Sequence, residues 1–177
     1  MKKRWLAIAL LLGLAGGCVA GFAAGIFIYP FWFLDDVAAE TLESGVARTD
    51  LAAGTFIDVN PSDPVHWGQG DVTVHQEGDR RLVYLHDDFE VGPGPRFHVY
   101  LVDSRSVRSK SDFENAGKVD LGRLRAFRGS QVYAVPAGTD MALYGSVVVW
   151  CKEFGVLISP ASLTVETAAR SGGVRGS

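Results

Sequence analysis

The feature that most constrains this chain is an apolar run near its N-terminus. No charged residue occurs between Trp5 and Leu34, and this run is longer than the roughly 20 apolar residues that a membrane-spanning helix needs. The apolar core of a cleavable signal peptide is shorter, at about 7–15 residues. The run therefore predicts an uncleaved, single-pass signal anchor. Its basic flank, Lys2 to Arg4, predicts a cytoplasmic N-terminus. We expect the rest of the chain on the periplasmic or extracellular side of the cell (inner) membrane.

A second interpretation of the same segment centres on Cys18. The stretch from Leu14 to Cys18 loosely resembles a bacterial lipoprotein cleavage site. It lacks the usual large aliphatic residue three places before the cysteine, and the apolar run continues well beyond it. The length of the run favours a membrane helix, and lipidation of Cys18 stays open as the alternative.

Four glycines recur at every fourth position of the predicted helix. They are Gly13, Gly17, Gly21 and Gly25. This spacing places them on one helix face as overlapping GxxxG units, which let two helix backbones approach closely. The face predicts self-association or docking onto another membrane protein, whereas the alternative is that glycine is simply common in spanning helices.

The rest of the chain changes to a β pattern. Asp35 and Asp36 suit the first turn of a short helix, whereas from Gly54 onward short runs of β-forming residues alternate with Gly- and Pro-rich breaks. This pattern predicts an all-β fold, an antiparallel β-sandwich or barrel, preceded by one transmembrane α-helix. We predict a basic flank and anchor at 1–34, a partly helical connector at 35–53, an extracytoplasmic β-sandwich domain at 54–166 and a flexible tail at 167–177. The predicted strands cover 54–57, 71–75, 81–85, 97–101, 118–125, 131–135, 147–151, 156–158 and 162–165.

Three ordered stretches carry a resemblance to a known family. They are GTFIDVNPSDPVHWGQGDVTV, LVYLHDDFEVGPGPRFHVYL, and VDLGRLRAFRGSQVYAVP followed by YGSVVVWCKEFGVLISPASL. Together they cover nearly all of 54–163, and this part of the chain resembles the electron-transfer DM-thirteen domain of Skeletor-type proteins. The resemblance implies an all-β extracytoplasmic module of an electron-transfer system that oxidatively modifies surface proteins, with a redox partner protein.

The resemblance singles out Cys151. It implies either a free thiol or a ligand for a prosthetic group such as haem, so Cys151 is the candidate catalytic residue and cofactor ligand. The residues alone leave a second interpretation open. Val147, Val149 and Cys151 share one face of an apolar strand, where a thiol also packs as a small inert hydrophobe. The one other cysteine, Cys18, is expected within the bilayer and is therefore a poor disulfide partner.

His66 is implied as a second cofactor ligand by the same resemblance. A neutral imidazole can ligate haem iron, or it can hold backbone groups in a turn. The CxxCH attachment motif is absent, so any haem is expected to be non-covalent, and the identity of a cofactor stays open. No two histidines have HxH or HxxxH spacing, so the sequence predicts no metal site.

The charge and the motifs narrow the function class. The net charge is −3, and phosphate binding needs a concentrated basic face, so we expect no nucleic acid partner. Arg105, Arg108 and Lys110 form a small basic cluster that we expect in a solvated loop. We predict a membrane-anchored redox component without independent catalytic activity. The alternative is a non-enzymatic binding or assembly module that uses the sandwich surface and the glycine-faced helix.

Overall fold

The computed structural model describes residues 2–33 and 37–165, and it describes side chains for 4–26 within the first range. The first element is an α-helix, α1, at Lys2–Phe33. The most apolar 18 residues of its Arg4–Ile26 stretch have a mean hydropathy of 2.2, and the stretch is long and apolar enough to span a membrane. None of the most apolar part of this stretch is buried, so α1 lies outside the β core.

Short strands make up most of the chain after α1. The described residues form twelve of them, with one short α-helix and one 3-10 turn. The strands are β1 (Ala38–Ala39), β2 (Thr49–Thr55), β3 (Gly68–Gln69), β4 (Asp71–Glu77), β5 (Arg80–Leu85), β6 (Glu90–Val91), β7 (Phe97–Val102), β8 (Lys118–Arg123), β9 (Gly129–Ala134), β10 (Ser146–Cys151), β11 (Val156–Ser162) and β12 (Thr164–Val165). The short helix, α2, covers Lys110–Asn115, and the 3-10 turn covers Met141–Leu143.

The strands form two main sheets that pack face to face. The larger sheet has the order β1-β9-β5-β4-β2-β12, and the smaller has the order β11-β10-β7-β8. Neighbouring strands are antiparallel, except that β1 joins β9 in parallel. A two-stranded sheet of β3 and β6 lies beside them. The predicted all-β sandwich preceded by one apolar helix is confirmed.

The main core lies between the two sheets, and strand alternation builds it. Side chains two residues apart point to the same face of a strand, so Val72 and Val74 of β4 face Val147 and Val149 of β10 across one buried cluster. Cys151 belongs to the same cluster. The predicted shared face of Val147, Val149 and Cys151 is therefore observed, and it points into this core.

The outer face of the smaller sheet is covered as well. The Phe113 ring of α2 stacks on Trp150 with ring centroids 4.1 Å apart, and meets Tyr100 edge-on at 5.1 Å. This second apolar cluster explains why every residue of β10 is buried. Arg105 and Arg108 lie exposed in a loop as expected, whereas Lys110, also exposed, begins α2, which packs Phe113 onto the sheet.

The described part of the connector also differs from expectation. Residues 37–53 contain no helix and instead form β1 and most of β2. Pairing with β9 explains the difference, because the Ala38 amide donates to the Arg128 carbonyl (3.0 Å) and the Val132 amide donates to Glu40 (2.9 Å). Tertiary contacts of this kind override weak local propensity. Asp35, Asp36 and the predicted tail lie outside the described residues.

Candidate functional site

Cys151 lies at one end of the sandwich core. It is the last residue of β10, pairs with Phe97 of β7 and Val156 of β11, and is 2% exposed. The Gly155 amide donates to the Cys151 carbonyl (2.9 Å) and closes the turn that leads into β11. The thiol is free, and strand pairing on both sides fixes its backbone.

His66 lies in the loop between β2 and β3, where Asp63 holds it. Asp63 Oδ1 accepts hydrogen bonds from the amides of Val65 (2.9 Å) and His66 (3.1 Å), and Asp63 Oδ2 lies 2.7 Å from His66 Nδ1. The hydrogen bond with the His66 side chain, followed by those two backbone bonds, lowers the pKa of Asp63 to about 2. An ionised carboxylate only accepts hydrogen bonds, so Nδ1 carries the proton and Nε2 points away from Asp63.

The loop between β6 and β7 forms the third wall of the site. A Cβ at Gly92 would overlap the Val65 carbonyl oxygen, and a Cβ at Gly94 would overlap the Phe97 ring. The Gly92 amide donates to the Trp67 carbonyl (3.1 Å). Glycine is needed at both positions because only a residue without a side chain permits such a close approach. These contacts place the loop against the His66 segment and the start of β7.

The three segments enclose one cavity of about 500 Å³, and both Cys151 and His66 line it. The rest of its lining consists of proline, glycine and apolar side chains, including Phe97 and Phe154. Ile26 of α1, within the apolar N-terminal run, lines it too. The structure thus brings together the two residues that the family resemblance implied, from a loop and a strand that are far apart in the sequence.

The family model described as Electron transfer DM13 matches residues 61–163. The chain belongs to this family. It is the DM-thirteen family that the sequence resembles. The matched range includes both His66 and Cys151. Comparisons with curated proteins and with solved structures gave no match.

A second cavity of the DM13 domain borders the other side of the His66 segment. It measures about 260 Å³ and is lined by His66 and Asp63 together with Arg108 and Lys110. Two members of the predicted basic cluster therefore lie beside the imidazole. His66 separates an apolar cavity, which contains Cys151, from a charged one.

Positive charge is the usual means of activating a thiol, because it stabilises the thiolate. No lysine or arginine is among the described residues that line the Cys151 cavity. Lys152 extends from the opposite face of β10, where its Nζ lies 3.0 Å from Asp120 Oδ2. The surroundings of Cys151 in this DM13 domain therefore suit a desolvated thiol or a ligand better than a strongly activated nucleophile.

Sequence reasoning missed Asp63 as the partner of His66. The available signal was an aspartate three residues before the histidine in a Pro-rich loop, where such side chains accept hydrogen bonds from backbone amides. The structure shows no packing partner at the four glycines of the predicted helix face, because a Cβ added at any of them would meet nothing within 4 Å among the described residues. Their role in self-association stays a prediction.

Proposed function

We propose that this chain is a membrane-anchored electron-transfer component, and that the cavity lined by Cys151 and His66 is its redox centre. The observation that carries the proposal is the convergence of these two residues on one apolar cavity within the range that matches the family. An apolar shell around a redox group limits solvent access and tunes its reduction potential. The apolar residues that line the cavity supply such a shell around the redox group.

The N-terminal helix supports the proposed location. Arg4–Ile26 is apolar enough to span a membrane, and the basic residues Lys2 to Arg4 precede it. Basic flanks remain on the cytoplasmic side, so we place the DM13 domain on the periplasmic or extracellular side of the cell membrane. Electrons would then be exchanged there with a redox partner protein.

Within this proposal, Cys151 and His66 have different tasks. Cys151 is buried at the inner end of the cavity, where it contacts or ligates the redox group. His66 is held by Asp63 through Nδ1, which leaves Nε2 to accept a proton or a hydrogen bond from the group. An imidazole fixed by a carboxylate is pre-oriented for either task.

Haem is the prosthetic group that the family resemblance implies, and the lining fits it only in part. The donors suit haem, because imidazole nitrogen and thiolate sulfur both serve as its axial ligands. The rest of the lining does not, because haem carries two propionates and no described lysine or arginine lines the cavity to pair with them. Burial of unpaired carboxylates is costly. The cavity therefore fits an uncharged redox group better than haem.

The test uses the full-length chain purified from membranes, with Cys18→Ser so that Cys151 is its single thiol. We expect a reduced-minus-oxidised difference spectrum from a bound group, and we expect His66→Ala to diminish it. His98→Ala is the matched control, because His98 also pairs with an aspartate but does not line the cavity. Absence of any difference spectrum, combined with a Cys151 thiol that reacts with a labelling reagent only after denaturation, would overturn the proposal.

A further inference from the structure

We propose that the cavity binds the ring of a lipid-soluble quinone taken up from the membrane. This inference rests on the proposed function and adds the chemical class of the redox group. Three features of the described residues carry it: the absence of cationic side chains in the lining, the position of the cavity beside the membrane helix, and the free nitrogen of a fixed imidazole.

The lining selects an uncharged ring. Pro64, Pro93 and Pro95 present flat apolar surfaces, and Phe97 adds an aromatic one. A cavity of about 500 Å³ lies within the range of roughly 300–1,000 Å³ that is typical of small-molecule sites. Redox groups with phosphates or carboxylates would bury charges that nothing in this lining neutralises. A quinone ring carries no charge and is small and flat enough for such a site.

The mouth of the cavity points to the membrane as the source. Ile26 of α1, which lies within the uncharged run from Trp5 to Leu34, forms part of the lining. Phe154 and Val65, also in the lining, are 55% and 36% exposed. Apolar side chains that are exposed together beside a membrane helix mark a surface that lipid can contact. A ligand dissolved in the bilayer can therefore enter without crossing water.

The His66 side chain supplies the polar contact that a quinone needs. Nδ1 is bonded to Asp63, and no hydrogen bond involves Nε2 within the described residues. When the ring is protonated, Nε2–H donates to a quinone carbonyl oxygen. When the ring is neutral, Nε2 accepts from a quinol hydroxyl. The same atom thus serves both redox forms of the ligand.

This polar contact distinguishes a quinone from a plain acyl chain. An acyl chain would leave the imidazole nitrogen facing an apolar ligand without a partner, which costs free energy. A ring with an oxygen at that position satisfies the nitrogen. Recognition of the oxygen by His66 is therefore the specific claim, and the experiment must separate it from general hydrophobic binding.

The experiment is a titration of the full-length chain in detergent with decylubiquinone, followed by quenching of the fluorescence of its four tryptophans. We expect saturable binding that weakens about tenfold in His66→Ala, the effect of losing one hydrogen bond to a charged group. Phe154→Arg, which adds a charge at the exposed mouth, is expected to weaken it by a similar factor. The control His98→Ala should bind within twofold of the unchanged protein.

Thermal unfolding midpoints of the three variants establish that each is folded. The quinone inference is overturned if decanol competes as well as decylubiquinone does, or if His66→Ala and Phe154→Arg both bind like the unchanged protein. It also fails if the purified chain carries a haem band. If decylubiquinone does not bind but a difference spectrum from another group is present, the quinone inference is overturned and the electron-transfer proposal stands.

Discussion

The His66–Asp63 and His98–Asp120 pairs share one contact but have different neighbours. Nδ1 lies 2.7 Å from a carboxylate oxygen in the first pair and 2.9 Å in the second. The pKa of both aspartates is lowered. The first pair borders two cavities at one end of the sandwich, whereas the second lies on the outer face of the smaller sheet.

The second pair belongs to a network that completes this outer face. Burial raises the pKa of Asp120, but hydrogen bonds from His98 and Lys152 outweigh this effect and the net pKa is below its ordinary value. The pKa of the neighbouring Tyr100 is raised, first by burial and then by the Asp120 charge. The carboxylate is thus shared among several groups, and none of them lines the Cys151 cavity. A histidine–aspartate pair is a candidate site only where it also borders a cavity, as His66 does.

Trp150 and Cys151 show the same contrast between the outer face of the smaller sheet and the cavity end, here within one strand. They are adjacent in β10 and point to opposite faces, Trp150 into the outer cluster and Cys151 into the core that ends at the cavity. If the outer face serves stability and the cavity end serves function, substitutions on the outer face should mainly lower stability, and substitutions at the cavity end should mainly change ligand binding.

The largest expected effect is that of Trp150→Ala. Trp150 is 6% exposed and stacks on Phe113, and removal of a buried aromatic ring costs about 3–5 kcal/mol of unfolding free energy. Urea unfolding of the full-length chain measures this loss. The control is Phe154→Ala, an exposed aromatic residue on the neighbouring turn, which should stay within about 0.5 kcal/mol. A loss below about 1 kcal/mol for Trp150→Ala would contradict a stabilising outer face.

A smaller effect is expected at Cys151, where serine and alanine should differ. Serine places a hydroxyl in the apolar core, and an unsatisfied buried hydroxyl costs roughly 1–3 kcal/mol. Alanine removes only the sulfur and should cost less, on the order of 1 kcal/mol. Urea unfolding of both variants gives the order. If Cys151→Ser is as stable as the unchanged protein, water or another polar partner reaches the thiol, and the apolar description of the cavity end is wrong.

These contrasts also show how far the sequence could predict the molecule. Alternation and Gly/Pro breaks predicted β4, β7 and β10 to within two residues, because a buried face imposes a period of two on the side chains. The same reasoning placed Cys151 on one strand face with Val147 and Val149. Among the elements that it missed, α2 and β1 are short and depend on tertiary contacts, Phe113 on the sheet and β1 on β9.

The cavity itself was beyond the reach of sequence patterns. It depends on the close approach of Gly92 to the Val65 carbonyl and of Gly94 to Phe97, and no local period encodes contacts between two loops. The family resemblance supplied Cys151 and His66 as separate candidates. Their meeting in one cavity, and the role of Asp63 in orienting the imidazole, required the structure.

The smallest expected effect concerns acid stability, to which both aspartates contribute. The pKa of Asp63 is about 2 in the folded protein against an ordinary 3.8, so its ionised form stabilises the fold above about pH 4. This contribution is lost as the pH falls from about 4 to 2. In Asp63→Asn the amide oxygen can still accept the backbone bonds but does not titrate. The unfolding temperature should therefore fall less between pH 5 and pH 2 than in the unchanged protein.

Asp120→Asn is the matched control for this measurement, because the pKa of Asp120 is lowered as well. It should also reduce the acid-induced fall in unfolding temperature, since it removes a carboxylate whose ionised form favours the fold. The two variants should differ at the cavity. Asp63→Asn frees the His66 ring and should weaken decylubiquinone binding, whereas Asp120→Asn should leave it unchanged. If both variants bind decylubiquinone equally well, the contact with Asp63 contributes to stability but does not prepare His66 for ligand binding. The difference proposed between the two histidine–aspartate pairs would then be wrong.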